Sequence, residues 1–147
     1  MSDKNTCTTG TLLNCCLYFT ANTLARIMGR FADDCFRDTG LSPSHAFTLM
    51  LVNEQPEISQ KELGEALHLA PSTMTRFVDK LIAKGLVQRE TSGKLARVRP
   101  TERGKQLAKP IAESWKALYY KYSDILGEEE GQELTRIIDT ANRKLEG

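Results

Sequence analysis

Residues 58–105, ISQKELGEALHLAPSTMTRFVDKLIAKGLVQRETSGKLARVRPTERGK, decide the fold. They read as helix, tight turn, helix and then a two-stranded hairpin. The stretch holds ten basic residues against five acidic ones, a net charge of +5 in a chain of net +1, so the remainder carries about −4. That asymmetry points to a polyanion as partner, and the order of the elements narrows it to duplex DNA.

The first helix begins at Ser59, where Ser59-x-x-Glu62 has capping-box spacing: the hydroxyl accepts from the backbone of Glu62 while the carboxylate reaches back to the cap. Leu63, Ala66 and Leu67 then fall on one face. His68-Leu69-Ala70 supply the sharp turn, and Pro71 restarts the chain at a first helical position, where its missing N–H costs nothing. Met74, Phe77, Val78, Leu81 and Ile82 recur at helical spacing and face a core. Ser72, Thr73, Thr75, Arg76, Asp79 and Lys80 are left pointing away. Hydroxyls and one arginine on the first turns of such a helix suit a major groove, Arg76 against a guanine edge and the hydroxyls against phosphate or base.

Gly85 closes that helix in a left-handed cap. Leu86–Glu90 follows as a strand, Thr91-Ser92-Gly93-Lys94 as a turn, and Leu95–Pro100 as the returning strand. Ala96, Val98 and Pro100 share one face by period-two alternation, with Arg97 and Arg99 on the other. Lys94 at the tip and the flanking Arg97 suit phosphates or a minor groove. A Ser/Thr-rich helix start is also ordinary capping chemistry, and a charged strand face is also ordinary solvated surface. The coincidence of both in adjoining elements favours DNA, with Ser72, Thr73, Thr75, Arg76, Lys80, Lys94, Arg97 and Arg99 as the contact set.

The run Leu63-Gly64-x4-Leu69, Ser72-Thr73-x-Thr75-Arg76-x-Val78-x-x-Leu81-x-x-x-Gly85-Leu86-Val87 and Arg97-Val98-Arg99-Pro100-Thr101-Glu102-Arg103-Gly104 resembles the winged helix-turn-helix of the multiple-antibiotic-resistance regulator (MarR) family. The resemblance extends into the flanking helices. It implies a mainly α fold with a small β-hairpin wing, a winged helix-turn-helix joined to N- and C-terminal dimerisation helices. It also implies a dimeric transcription regulator, usually a repressor, released from DNA by small phenolic or carboxylate ligands, by cysteine oxidation or, in a few members, by metals. The chain departs from the family pattern in the wing, where Ser92-Gly93-Lys94 stands in place of an Asp-x-Arg type motif. Lysine lacks the planar fork of arginine, and Arg97 is the residue placed to take over part of that role.

The 147 residues, 40% of them apolar, fit one compact domain or one protomer of an interwoven dimer. Residues 1–10 read as a loose leader, 11–40 as an N-terminal dimerisation helix, 41–105 as the DNA-binding region and 106–147 as C-terminal dimerisation helices. The apolar stretch Thr11–Ala21 is interrupted by Asn14 and followed by no small-residue cleavage pattern, so it does not read as a signal peptide. With no transmembrane segment either, the expected location is cytoplasmic, without membrane partners.

From Leu12 to about Phe36 the apolar residues Leu13, Cys16, Leu17, Thr20, Leu24, Ile27, Met28, Phe31, Cys35 and Phe36 predict one helix about 37 Å long, too long to cover its stripe within its own protomer. Asp38-Thr39-Gly40 ends it. Ser42-Pro43 opens a shorter helix through about Asn53, with Ala46, Phe47, Met50 and Leu51 inward. After Thr101 a helical pattern runs through Leu107, Ile111, Trp115, Leu118, Tyr122 and Ile125, kinked at Pro110. Gly127 and three glutamates open a last helix carrying Leu134, Ile137, Ile138, Ala141 and Leu145. Two such amphipathic ends predict a homodimer whose recognition helices lie about 34 Å apart on a pseudo-palindrome.

An effector pocket is expected where the first two helices meet the DNA-binding lobe. Met28, Phe31, Phe47 and Met50 would form its apolar walls, and Arg26, Arg30 or His45 would anchor a small aromatic or carboxylate ligand. Each of these residues also has an ordinary reading as dimer core or surface charge. Cys7, Cys15, Cys16 and Cys35 include no C-x-x-C pair, and neither His45 nor His68 lies at metal-ligand spacing from them, so no metal or cofactor is expected. Cys16 and Cys35 sit on apolar stripes as small core residues. The family resemblance adds that a cysteine near the start of this first helix is the peroxide-reactive thiol of some relatives, which makes Cys15 and Cys16 redox candidates. No Gly-rich phosphate loop, nucleophile elbow or paired-His motif occurs, so catalysis is not expected. The rival reading is a winged-helix protein-interaction module without specific DNA binding. Such a module has no need to keep Ser72, Thr73, Thr75 and Arg76 small and polar.

Overall fold

The computed structural model describes residues 9–147, so Cys7 and most of the expected leader lie outside the described residues. Thr9 and Gly10 already form part of a short helix, α1 (Thr9–Asn14). The long first helix expected from periodicity is in fact two. The backbone of Cys16 turns extended (φ −91°, ψ 120°), and α2 runs from Leu17 to Phe36. Cys16 N–H donates to Leu13 O at 3.0 Å to close α1, and Cys16 O accepts from Thr20 N to open α2. Asn14-Cys15-Cys16 includes no breaker, and the apolar spacing runs on across it. Cys16, expected in the core, is exposed, as are Leu13 and Leu17.

A 3₁₀ turn, Arg37–Thr39, and Gly40 at φ 74° lead into α3 (Pro43–Glu54), capped by Ser42 with Pro43 as its first residue. This helix is the hub of the fold and packs on α2, on the recognition unit and on the C-terminal helices. It therefore buries more than one side. Ala46, Leu49 and Val52 are fully buried, while Phe47, Met50 and Leu51, expected inward, are only partly covered.

The recognition unit has α4 (Gln60–Leu67) and α5 (Pro71–Ala83), followed by strands β2 (Val87–Ser92) and β3 (Leu95–Pro100). His68 turns the corner with φ 56°, and Ser59 Oγ accepts from Glu62 N at 3.0 Å. The Glu62 carboxylate does not complete the capping box; it accepts from Gln55 Nε2 at 3.1 Å. The expected two-stranded wing gains a third strand, β1 (Ile58–Ser59), which pairs with β3 so that the sheet order is β1-β3-β2. Two residues are too few to show alternation, but Ile58 opposite Val98 ties the start of the unit to its end. The hairpin turn is only Gly93-Lys94, since Thr91 and Ser92 extend β2. Ile82 and Ala66, expected inward, are exposed.

After β3 the chain forms α6 (Glu102–Gln106), α7 (Ala108–Leu126) and α8 (Glu128–Glu146). The expected kink at Pro110 is instead a break at Leu107. Pro110 then falls in the first turn of α7, where its missing N–H has no helical partner to lose. Phe36, Leu49, Leu63, Met74, Val78, Leu81, Val98 and Ile111 form one buried cluster joining α2, α3, the recognition unit and α7. Each contributes about 1.5 to 3 kcal/mol of burial. That cluster fixes α5 against α3 and leaves its opposite face in solvent. No helix among the described residues is long and apolar enough to cross a membrane.

Candidate nucleic-acid interface

Burial of Met74, Val78 and Leu81 turns the other side of α5 outward, and Ser72, Thr75, Arg76 and Lys80 are exposed there. Thr73 is partly covered, and its hydroxyl accepts from Arg76 Nη2 at 3.5 Å, the outer limit of a hydrogen bond. Thr75 Oγ1 donates to Pro71 O at 3.1 Å and receives Gln60 Nε2 at 3.4 Å. Asp79, the acid on this face, is held by Arg89 at 2.8 Å. Among the described residues neither Arg76 nor Lys80 has an ion-pair partner. The outward face of α5 therefore presents uncompensated positive charge beside small hydroxyls.

The wing divides its cations between two roles. Lys94 stands exposed at the tip, next to Gly93 at φ 64°. Arg99 is taken up in ion pairs with Glu57, at 2.8 Å, and with Glu90. Arg97 Nη1 donates to Glu57 O at 3.0 Å. Glu57 has φ 74°, a conformation that costs a non-glycine residue about 1 kcal/mol or more. Its N–H donates to Val98 O at 3.1 Å, so β3 and its two arginines clamp this turn on three sides. Arg97 and Arg99 thus brace the sheet, Arg97 through a backbone carbonyl and Arg99 through two carboxylates, and among the described residues Lys94 is the expected wing cation with neither an ion pair nor a side-chain hydrogen bond. Periodicity placed the two arginines on one face but had no means of showing what they meet there.

The expected effector residues do not converge on one cavity. Phe47 stands edge-on to Phe36 and Trp115, with ring centroids 5.5 and 5.1 Å away. Lys121 Nζ sits over the Phe31 ring at 4.5 Å. Met28 and Met50 are partly buried, Arg26 donates to Thr23 Oγ1 at 3.3 Å, and Arg30 is exposed. His45 packs against Phe77, centroids 4.4 Å apart, and its Nδ1 contacts Ser42 Oγ. Burial, then the charges of Lys80 and Lys84, push the His45 pKa below its ordinary value. A cleft of about 700 Å³ lies elsewhere, between α4, the start of α5 and the hairpin, and Gln60, Lys61, Thr75 and Lys94 help line it. Cys15 and Cys16 are free, exposed thiols at the α1–α2 break, and Cys35 is partly covered. Among the described residues no three of His, Cys, Asp and Glu gather as a metal site. Lys84 was missed in the sequence, although Arg76, Lys80 and Lys84 at four-residue spacing already form one row along a helix.

Three comparisons bear on this arrangement. The chain is 29% identical over 87 residues to YybA of Bacillus subtilis (strain 168), described as an uncharacterised HTH-type transcriptional regulator. The match covers 57% of this chain and 58% of that protein, so it spans little more than half of the relative's length. Among solved structures, the fold is similar to Mycobacterium tuberculosis MosR in complex with DNA, with TM-score 0.78, 20% identity and coverage of 89% of this chain and 96% of that one. It is also similar to CouR from Rhodococcus jostii RHA1 bound to p-coumaroyl-CoA, with TM-score 0.75, 20% identity and coverage of 88% and 93%. A MarR protein from Peptoclostridium difficile gives TM-score 0.75 at 21% identity, covering 99% of this chain and 93% of its own. At such identities these structures establish a common fold. The family model described as the MarR family matches residues 41–94, a stretch that runs from the start of α3 through the recognition helix to the wing tip, and over that stretch the chain is similar to the MarR family.

Proposed function

We propose that this chain is a sequence-specific DNA-binding transcription regulator that works as a homodimer in the cytoplasm. It represses from a pseudo-palindromic operator and is released by a small ligand or by thiol oxidation. The observation that carries the reading is the uncompensated face of α5, where Arg76 and Lys80 have no ion-pair partner among the described residues while the neighbouring Asp79 is neutralised by Arg89. Ser72, Thr73, Thr75 and Arg76 face bases and nearby phosphates, and Lys80 and Lys94 meet phosphates. Arg97 and Arg99 support the wing from behind.

Dimerisation is supported by the apolar side chains left uncovered at both ends of the chain. Leu12, Leu17 and Tyr18 are exposed at one end, and Trp115, Tyr120, Ile125, Leu126, Ile137 and Leu145 at the other. Patches of this kind mark interfaces. A two-fold partner covering them sets two α5 helices about one DNA turn, roughly 34 Å, apart. The effector is an aromatic or carboxylate molecule, in keeping with the p-coumaroyl-CoA in the CouR structure. It is received among Met28, Phe31, Phe47 and Met50, with Arg26 or Arg30 at its anionic end, once the partner closes that region; His45, which faces Lys80 and Lys84 instead, is left out of this pocket. The exposed Cys15 and Cys16 offer the oxidative route. Either event shifts the population toward dimers whose half-site spacing no longer matches DNA.

The test is a pair of substitutions measured on operator and random duplex. Arg76→Ala is expected to cost about 1 to 3 kcal/mol on operator and to relax base preference at one position per half-site. Lys94→Ala is expected to weaken all duplexes alike and flatten the salt slope by about one. Equal losses on both duplexes for both variants would remove Arg76 as a base reader and favour an interaction module.

A further inference from the structure

We infer that a second cationic groove, formed by His45, Lys80, Lys84 and Arg103 beyond the C-terminal half of α5, seats a backbone phosphate of the bound duplex next to the major groove that α5 enters. The inference rests on the DNA-binding reading above and adds a site to it. Two adjoining clefts share Gly40, Leu41 and Lys84. The smaller, about 200 Å³, is also lined by Ser42, His45 and Lys80. The larger, about 400 Å³, is also lined by Thr39, Leu86, Arg103, Gln106 and Leu107. No carboxylate lines either cleft, in a chain that carries 19 acidic residues. Among the described residues Lys80, Lys84 and Arg103 form no ion pair, and Lys84 Nζ only reaches Gly40 O at 3.4 Å.

Independent support comes from His45, whose protonation is opposed by both lysines in addition to burial, so the three groups share one field. An anion in the groove would relieve that repulsion. Geometry selects the anion. Lys80 and Lys84 follow Arg76 at one and two turns, about 6 and 12 Å along the helix axis. The major groove is about 12 Å wide, so a helix that presents Arg76 to bases passes the flanking sugar-phosphate wall with its later turns. The partner is therefore a phosphodiester, read without regard to sequence.

The experiment measures affinity against salt for operator and random duplexes with the wild type, Lys84→Ala, Arg103→Ala and Lys84→Arg. Each phosphate lost is expected to reduce the slope of log affinity on log salt by about 0.9 on both duplexes. Between 50 and 200 mM salt that is about 3.5-fold less salt-induced weakening. Lys84→Arg should retain the wild-type slope, and duplex binding should raise the His45 pKa read by imidazole NMR. Wild-type binding with slopes unchanged in both alanine variants would overturn the groove while leaving the recognition face standing. Slopes that fall in a protein with no sequence preference would support the groove and overturn the specific regulator. Failure to bind any duplex would overturn both.

Discussion

Gly104→Ala tests the joint that holds the wing to the recognition helix. A Cβ built at Gly104 would lie 2.1 Å from Leu86 O, 3.1 Å from Leu86 C and 3.4 Å from Leu49 Cδ1. The first distance is well inside any real carbon-oxygen contact, and the obstacle is backbone that cannot swing aside as a side-chain tip would. Leu86 O is also fixed by Thr101 N at 3.0 Å, and Thr101 Oγ1 donates to Gly85 O at 2.7 Å. Relief therefore requires moving α6 or the end of α5 by most of an ångström. Overpacking of this kind costs about 1 to 3 kcal/mol, and a rigid backbone neighbour places this case at the upper end. With a urea slope of about 1 to 3 kcal/mol/M, the midpoint should fall by about 1 to 3 M. Unfolding is followed by circular dichroism at one protein concentration, because the proposed dimer would make apparent stability depend on concentration. Gly29→Ala is the control: nothing lies within 4 Å of its Cβ and it sits inside α2, so a gain of about 0.5 to 1 kcal/mol is expected. A midpoint within about 0.2 M of wild type for Gly104→Ala would refute the claim that this approach is rigid.

Three further outcomes are expected. The His45 pKa is lowered in the folded chain, so its contribution to stability is complete above the unfolded value of 6.5 and is lost as pH falls through the lower folded value. Imidazole NMR should show its pKa rising in Lys84→Ala, and no rise would mean that Lys84 does not act on it. Ile137→Asp, on the exposed apolar side of α8, should halve the mass in sedimentation; an unaltered dimer would take α8 out of the interface. Mild organic hydroperoxide should consume thiols and weaken operator binding, and Cys15→Ser with Cys16→Ser should abolish the response. Unchanged thiol count and affinity in the wild type would end the oxidative route.

What the sequence makes legible is local chemistry. Ser59, Pro71 and Gly85 do what their types dictate: a cap that accepts from Glu62 N, a first helical residue, and a glycine at φ 72°. The outward residues of α5 follow from helical spacing, because one face is filled by Met74, Val78 and Leu81. Features set by distant parts of the chain are not legible. Strand β1 exists because Val98 lies opposite Ile58, and two residues alone carry no strand pattern. The break at Cys15-Cys16 leaves the apolar spacing intact, so periodicity runs straight through it. The fate of Arg99 depends on Glu57, 42 residues earlier, and on Glu90 across the hairpin. Residue type alone points to the candidate effector residues, yet Phe47 packs on Phe36 and Trp115, and Phe31 lies under Lys121.

The most direct test of the central claim is binding of the purified chain to duplex from its own upstream intergenic region at about 0.15 M salt, with random duplex as competitor. The account predicts tight binding by a dimer that survives the competitor, with a preference of at least about 10³ over random sequence. Affinity no better than for random duplex would contradict a sequence-reading recognition helix in this chain.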